Sequence, residues 1–136
     1  MSGRAVVLPS GRLTVGELEA MLNALPLDVT FVDADDKVRY FTEGKERIFM
    51  RTRAVIGRSV QNCHPPKSLE AVQKVLEDFR SGRADHHDFW IEQRGRLISI
   101  RYFAVRDPDG SYLGTLEVTQ DITDARALRG EKRLVS

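Results

Sequence analysis

The stretch from His87 to Ile122 constrains this chain more than any other. It holds three strand-like runs with only two interruptions. "HDFWIEQ" (87–93) turns at Gly95 into "RLISIRYFAVR" (96–106). "DPDG" (107–110), with proline second and glycine fourth, then leads into "SYLGTLEVTQDI" (111–122). Links this short join antiparallel neighbours, because a parallel crossover needs a dozen residues or more. An earlier pair has the same form. "LDVTFVD" (27–33) alternates in character, "ADDK" (34–37) is turn chemistry, and "VRYF" (38–41) returns. The sequence therefore predicts an α+β fold: a five-stranded antiparallel sheet with helices inserted between strands two and three, plus N- and C-terminal helices. Inserted helices can cover only one face, and the space beneath them is core or cavity.

The helices have their own signals. Thr14 and Glu17 are spaced as a capping box ahead of Leu18, Met21, Leu22 and Leu25, and Pro26 ends the run. Residues 43–56 are charged and lack turn signals, which predicts short helices closed by Gly57. In "KSLEAVQKVLEDFRSG" (67–82), Leu69, Val72, Val75, Leu76 and Phe79 form one apolar stripe that stops at Gly82. Residues 1–12, punctuated by Pro9 and Gly11, read as a loose lead-in. Residues 123–136 read as a polar trailing helix capped by Thr123 or Asp121 and interrupted by Gly130. The expected organisation is a lead-in and helix over 1–25, a core over 26–122 and a signalling helix over 123–136.

Composition narrows the function classes. A chain of 136 residues suits one domain with one core. Its 21 basic and 20 acidic residues leave a net charge of +1, which offers no electrostatic case for nucleic acid or a membrane surface. No apolar run reaches membrane-spanning length, and the N-terminus does not read as a secretory signal. One cysteine excludes an internal disulfide framework, so a cytoplasmic setting is expected. No Ser-His-Asp grouping or glycine-rich phosphate loop is legible, and no enzyme is expected.

The chemically richest stretch is "NCHPPKS" (62–68). Pro65 keeps His64 extended, and Pro66 suits the first turn of the following helix, where no N–H is needed. The box then reads as a stiff corner, with Cys63 packed as a small hydrophobe. The same stiffness could aim imidazole or thiolate at a haem iron. The helix N-terminus beside Lys67 and Ser68 also suits a carboxylate or phosphate. His86 and His87 begin a strand, point to opposite faces and cannot chelate one ion together. Ile98, Ile100, Tyr102 and Ala104 alternate onto one strand face, opposite Leu97, Phe103 and Val105. Apolar residues on both faces predict that both are covered. Candidate cavity residues are His64 and Cys63 from the corner, with Leu76 and Phe79 from the long helix. From the sheet come Trp90, Ile98, Ile100, Tyr102, Leu116 and Val118.

The order of elements resembles a PAS domain. "EVTQDITD" (117–124) is similar to the Asp-Ile-Thr signature with which PAS domains leave their final strand. Residues 25–68, "FWIEQRGRLISIRYFAVRD" (89–107) and "LRGEKRL" (128–134) resemble one bacterial and archaeal subfamily, often fused to hemerythrin-like domains or domains of unknown function. Asn62-Cys63 resembles the flavin-attaching pair of light-sensing members only superficially, since the Arg-Phe-Leu-Gln context is missing. The resemblance implies a sensory or interaction module, usually a dimer, with haem, flavin or another small ligand held between sheet and helices in some members.

The resulting expectation is a sensor that binds an unidentified small ligand beside the 67–81 helix, works as a homodimer and signals to an unidentified output protein. Asp121 and Thr123 would anchor its exit helix. The alternatives are a ligand-free interaction module and a haem sensor using His64 or Cys63. On the leading reading "NCHPPKS" is a rigid corner shaping the cavity wall.

Overall fold

A computed structural model describes residues 3–45 and 47–135. Met1, Ser2, Glu46 and Ser136 lie outside the described residues, and with them the outermost positions of the expected lead-in and trailing helix and one position of the 43–56 stretch.

The lead-in is not loose. Strands β1 (Ala5–Leu8) and β2 (Gly11–Thr14) pair as an antiparallel hairpin, with Leu8 opposite Gly11. Pro9 and Ser10 fill the two-residue turn, so the punctuation marked a hairpin rather than irregular chain. Thr14 ends β2 and caps α1 (Val15–Ala24). Its hydroxyl accepts from the Glu17 amide at 3.0 Å, and the Glu17 carboxylate accepts from the Thr14 amide at 2.8 Å.

Strands β3 (Asp28–Asp33) and β4 (Val38–Phe41) follow. Asp33 Oδ1 closes their turn by accepting from the amides of Asp35 and Lys37, which is why aspartate stands there. The insert holds less helix than its lack of turn signals predicted. It contains single 3₁₀ turns at Arg53–Val55 and Val60–Cys63, then α2 (Pro66–Ser81). Pro66 occupies the first helical position, and Gly82 ends α2 with φ at +79°.

Strands β5 (His86–Gln93), β6 (Arg96–Arg106) and β7 (Tyr112–Asp121) complete the sheet. Its order is β4-β3-β7-β6-β5, antiparallel throughout, with the last strand at the centre. Gly114 is required where β7 meets β3: a Cβ there would collide with the Val32 carbonyl oxygen and the Phe31 ring.

Register assigns the faces. Ile91–Ile98, Phe89–Ile100 and Tyr102–Glu117 are directly opposed pairs and project to one side. Thr30–Glu117 and Val32–Thr115 extend that inner face across β3. The stripe of α2 packs onto it, so Val72 and Leu76 join Val32, Val38 and Val60 in a buried cluster, with Cys63 against its edge. Removing a leucine such as Leu76 from this cluster would cost about 2–5 kcal/mol.

The expected trailing helix does not form. A single 3₁₀ turn at Ala125–Ala127 is followed by irregular chain to 135. Leu128, Leu134 and Val135 are exposed, so no apolar contact offsets the entropy of ordering. A helix this short is marginal without tertiary support, and Gly130 adopts φ +64°.

Candidate functional site

Between the inner sheet face, the 48–51 segment and the start of α2 lies a cavity of about 580 Å³, within the range of small-molecule sites. Its walls are mostly apolar: Phe49, Val72 and Val75 on the helical side, and Phe89, Ile91 and Ile100 on the sheet side. Phe89 meets the Tyr102 ring edge-on at 5.8 Å.

The floor is polar. Arg51 Nη2 donates to Glu117 Oε1 at 2.9 Å, and Arg51 Nε donates to the Thr30 hydroxyl at 3.1 Å. The two charged side chains are only 13% and 10% exposed. Tyr102, opposite Glu117 in the ladder, also lines the space. Burial first, and the Glu117 carboxylate second, push its phenol well above the usual tyrosine range, so it stays protonated.

A second pair holds the segment carrying Arg51. Fully buried Asp28 accepts from the Ile48 and Phe49 amides at 3.2 and 2.9 Å through Oδ2. Its Oδ1 lies 2.7 Å from Arg47 Nη1, at an angle too oblique for a hydrogen bond, so this contact is one of charge. Arg47 also donates to the Thr42 and Phe49 carbonyls. Burial pulls its pKa down, against the pull of Asp28.

At the corner His64 is extended ahead of Pro65, and Pro66 opens α2. His64 Nδ1 lies 3.0 Å from the Val60 carbonyl oxygen, which fixes this nitrogen as the N–H donor and leaves Nε2 as the ring nitrogen free to meet a ligand. Cys63 Sγ is 3.6 Å from the Ser59 carbonyl oxygen. Both residues line the cavity wall.

The other candidates divide. Ile100 and Tyr102 line the cavity. Leu76 lies deeper, beside a much smaller void with Val38 and Val60. Phe79 is wholly buried and stacks on His87 at 5.6 Å, which makes it core. Ile98 is on the inner face and buried. Trp90, Leu116 and Val118 do not belong to the cavity. Trp90 opposes Ser99, Leu116 opposes Phe103 and Val118 opposes Arg101, all on the outer face, and Trp90 is 70% exposed. Alternation in β7 misled because its inward positions are polar: Thr115, Glu117 and Thr119.

Arg51 and Glu117 were not among the sequence candidates. They stand 66 positions apart, and charged residues default to solvent. One signal was available, a glutamate between Leu116 and Val118 on a strand central to the sheet.

Haem fits poorly. His64 Nε2 could serve as an axial ligand, but among the described residues Arg51 is the only basic side chain besides His64 lining the cavity, and Glu117 already engages it. Nothing else among these residues would meet two propionates. Among the described residues, no three or more histidine, cysteine, aspartate or glutamate side chains are grouped to hold a metal. No described helix is long and apolar enough to cross a membrane.

Asp121 and Thr123 form a corner at the sheet exit. Asp121 Oδ2 accepts from Arg96 Nε at 2.8 Å, and Oδ1 accepts from the Thr123 amide at 3.0 Å. The Thr123 hydroxyl accepts from the Leu97 amide at 2.8 Å. These residues tie the exit to the start of β6, and among the described residues only the single 3₁₀ turn at Ala125–Ala127 follows, with no α-helix for them to anchor. Arg96 first, then Thr123, hold the Asp121 carboxyl at a pKa of about 2.

A family model described as "PAS domain" matches residues 18–123. Among solved structures, a C-terminal domain from Streptococcus mutans is 36% identical, with a TM-score of 0.87, covering 95% of this chain and all of that one. A PAS domain from Colwellia psychrerythraea is 13% identical at a TM-score of 0.59, covering 81% of this chain and 98% of that one. A sensory box sensor histidine kinase from Vibrio cholerae is 14% identical at 0.58, covering 78% and 89%. No curated protein matches the chain.

Proposed function

The chain belongs to the PAS domain family, and from that premise we propose that it is a sensory module binding a small organic ligand between its sheet and α2. The observation that carries this reading is the cavity of about 580 Å³, apolar in its walls and polar in its floor. Plain core would close such a space, since protein interiors pack as densely as organic crystals. The Vibrio cholerae neighbour, a sensor histidine kinase, supports a signalling role at the level of fold.

The signal would leave through β7. Glu117 reads the cavity floor, and Asp121, four positions along the same strand, holds the exit corner. A ligand favouring one arrangement of Arg51 and Glu117 would shift the population of exit conformations, and residues 121–135 would pass that bias to an output protein. A homodimer is part of the proposal. Val7, Met21, Trp90 and Leu128 are exposed apolar residues that a second copy could cover.

Native mass spectrometry of freshly purified protein, with an absorption spectrum of the same sample, tests this. The expected result is a dimer carrying an extra organic mass and no Soret band. A bare dimer, unchanged after incubation with hemin, would overturn the ligand reading in favour of an interaction module. A Soret band that His64→Ala abolishes would restore haem.

A further inference from the structure

The floor of the cavity carries one positive and one negative side chain, and they neutralise each other. We propose that the ligand is a neutral, largely apolar ring compound with an adjacent hydrogen-bond acceptor and donor on one edge, as in a cyclic amide, read by Arg51 and Glu117 together. This rests on the ligand reading above and specifies its chemistry.

Three observations support it. First, Arg51 spends Nη2 on Glu117 and Nε on Thr30, and no bonded acceptor for Nη1 is found among the described residues. That N–H seeks an acceptor. Second, Glu117 is bonded through Oε1, while a carboxylate offers about four lone-pair sites, so capacity remains for a ligand donor. Tyr102, protonated beside the same carboxylate, adds a hydroxyl that can donate or accept at this end. The floor thus presents a donor next to an acceptor, the complement of a lactam edge. Third, Phe49, Phe89 and Ile100 leave little to solvate a charge.

Charged ligands fit worse for a specific reason. A carboxylate reaching Arg51 would meet Glu117 beside it, and an ammonium reaching Glu117 would meet Arg51. Each would also lose its hydration against apolar walls without gaining an uncompensated counter-charge. A ring with no polar edge would strand the free groups of the pair, the kind of mismatch that polar sites reject strongly.

Isothermal titration calorimetry on the full chain with three probes of matched size tests the proposal: 2-quinolinone, 2-naphthoate and 2-naphthylmethylammonium. Wild type should bind 2-quinolinone at least about tenfold more tightly than either ion. Glu117→Gln leaves Arg51 uncompensated, and preference should swing to 2-naphthoate. Arg51→Gln leaves Glu117, and preference should swing to the ammonium. Wild type binding either ion as tightly as the lactam would overturn the inference while leaving the ligand reading intact. Binding of none of the three would overturn the inference, and with a bare native mass it would take the ligand reading too. The wild-type ranking decides even if a variant fails to fold.

Discussion

Strand β7 is fastened by an arginine at two inward positions, Glu117 in mid-strand and Asp121 at its end, and the two fastenings differ in solvent. Arg51–Glu117 lies under the insert at 2.9 Å with both side chains nearly buried. Arg96–Asp121 lies at the sheet exit at 2.8 Å, 45% and 30% exposed. Distance does not separate them; water does. Where water is excluded, removing one partner strands a charge that cannot be rehydrated, whereas an exposed partner simply returns to solvent. The floor should therefore resist change, and the exit should respond to modest perturbation. That is a sound division of labour for a module that senses at one end and reports at the other.

The sharpest way to break this comparison is at Asp28, the fully buried charge that holds the segment carrying Arg51. Asp28→Ala leaves Arg47 without its counter-ion and the Ile48 and Phe49 amides without their acceptor. A loss of about 3–5 kcal/mol is expected from urea denaturation. A loss below about 1 kcal/mol, the scale of an exposed pair, would mean that the anchor beneath the 48–51 segment is as wet as the exit.

Glu117→Gln should cost less, about 1–3 kcal/mol in the same measurement, because an amide oxygen can still accept from Arg51. The informative comparison is with Arg51→Gln. Near-equal losses would show that the pair acts as a unit. A much smaller loss for Arg51→Gln would mean that Glu117 is held by Tyr102 instead.

How far these regions were legible in the sequence follows from range. Local signals read true. The capping box at Thr14, the prolines ahead of α2, Gly82 at its end and the aspartates of both turns each describe bonds made within a few residues. The stripe on α2 likewise names its buried face. What failed depended on partners far away. The faces of β5 and β7 are set by pairing register, which placed Trp90, Leu116 and Val118 outward and Glu117 inward. The floor pair joins residues 66 apart. The tail has helical composition, yet its apolar residues find nothing to pack on, and propensity alone does not hold so short a helix.

The smallest expected effect on stability, and the most telling for function, is at the exit. The ordinary carboxyl value of 3.8 falls to about 2 for Asp121 in the folded chain, chiefly through Arg96. A depressed native pKa means that unfolding takes up a proton, so this corner contributes fully above the unfolded value and loses its contribution as pH falls from 3.8 towards 2. An NMR titration of the Asp121 carboxyl should show that midpoint at low salt, moving back upwards as salt screens Arg96. Asp121→Ala should imitate acid at neutral pH. The melting temperature should stay close to wild type, while hydrogen exchange at the Thr123 and Leu97 amides accelerates, since Asp121 holds the first and orients the residue that holds the second. A melting loss as large as that of Asp28→Ala, or unchanged exchange at both amides, would erase the distinction between a rigid floor and a yielding exit.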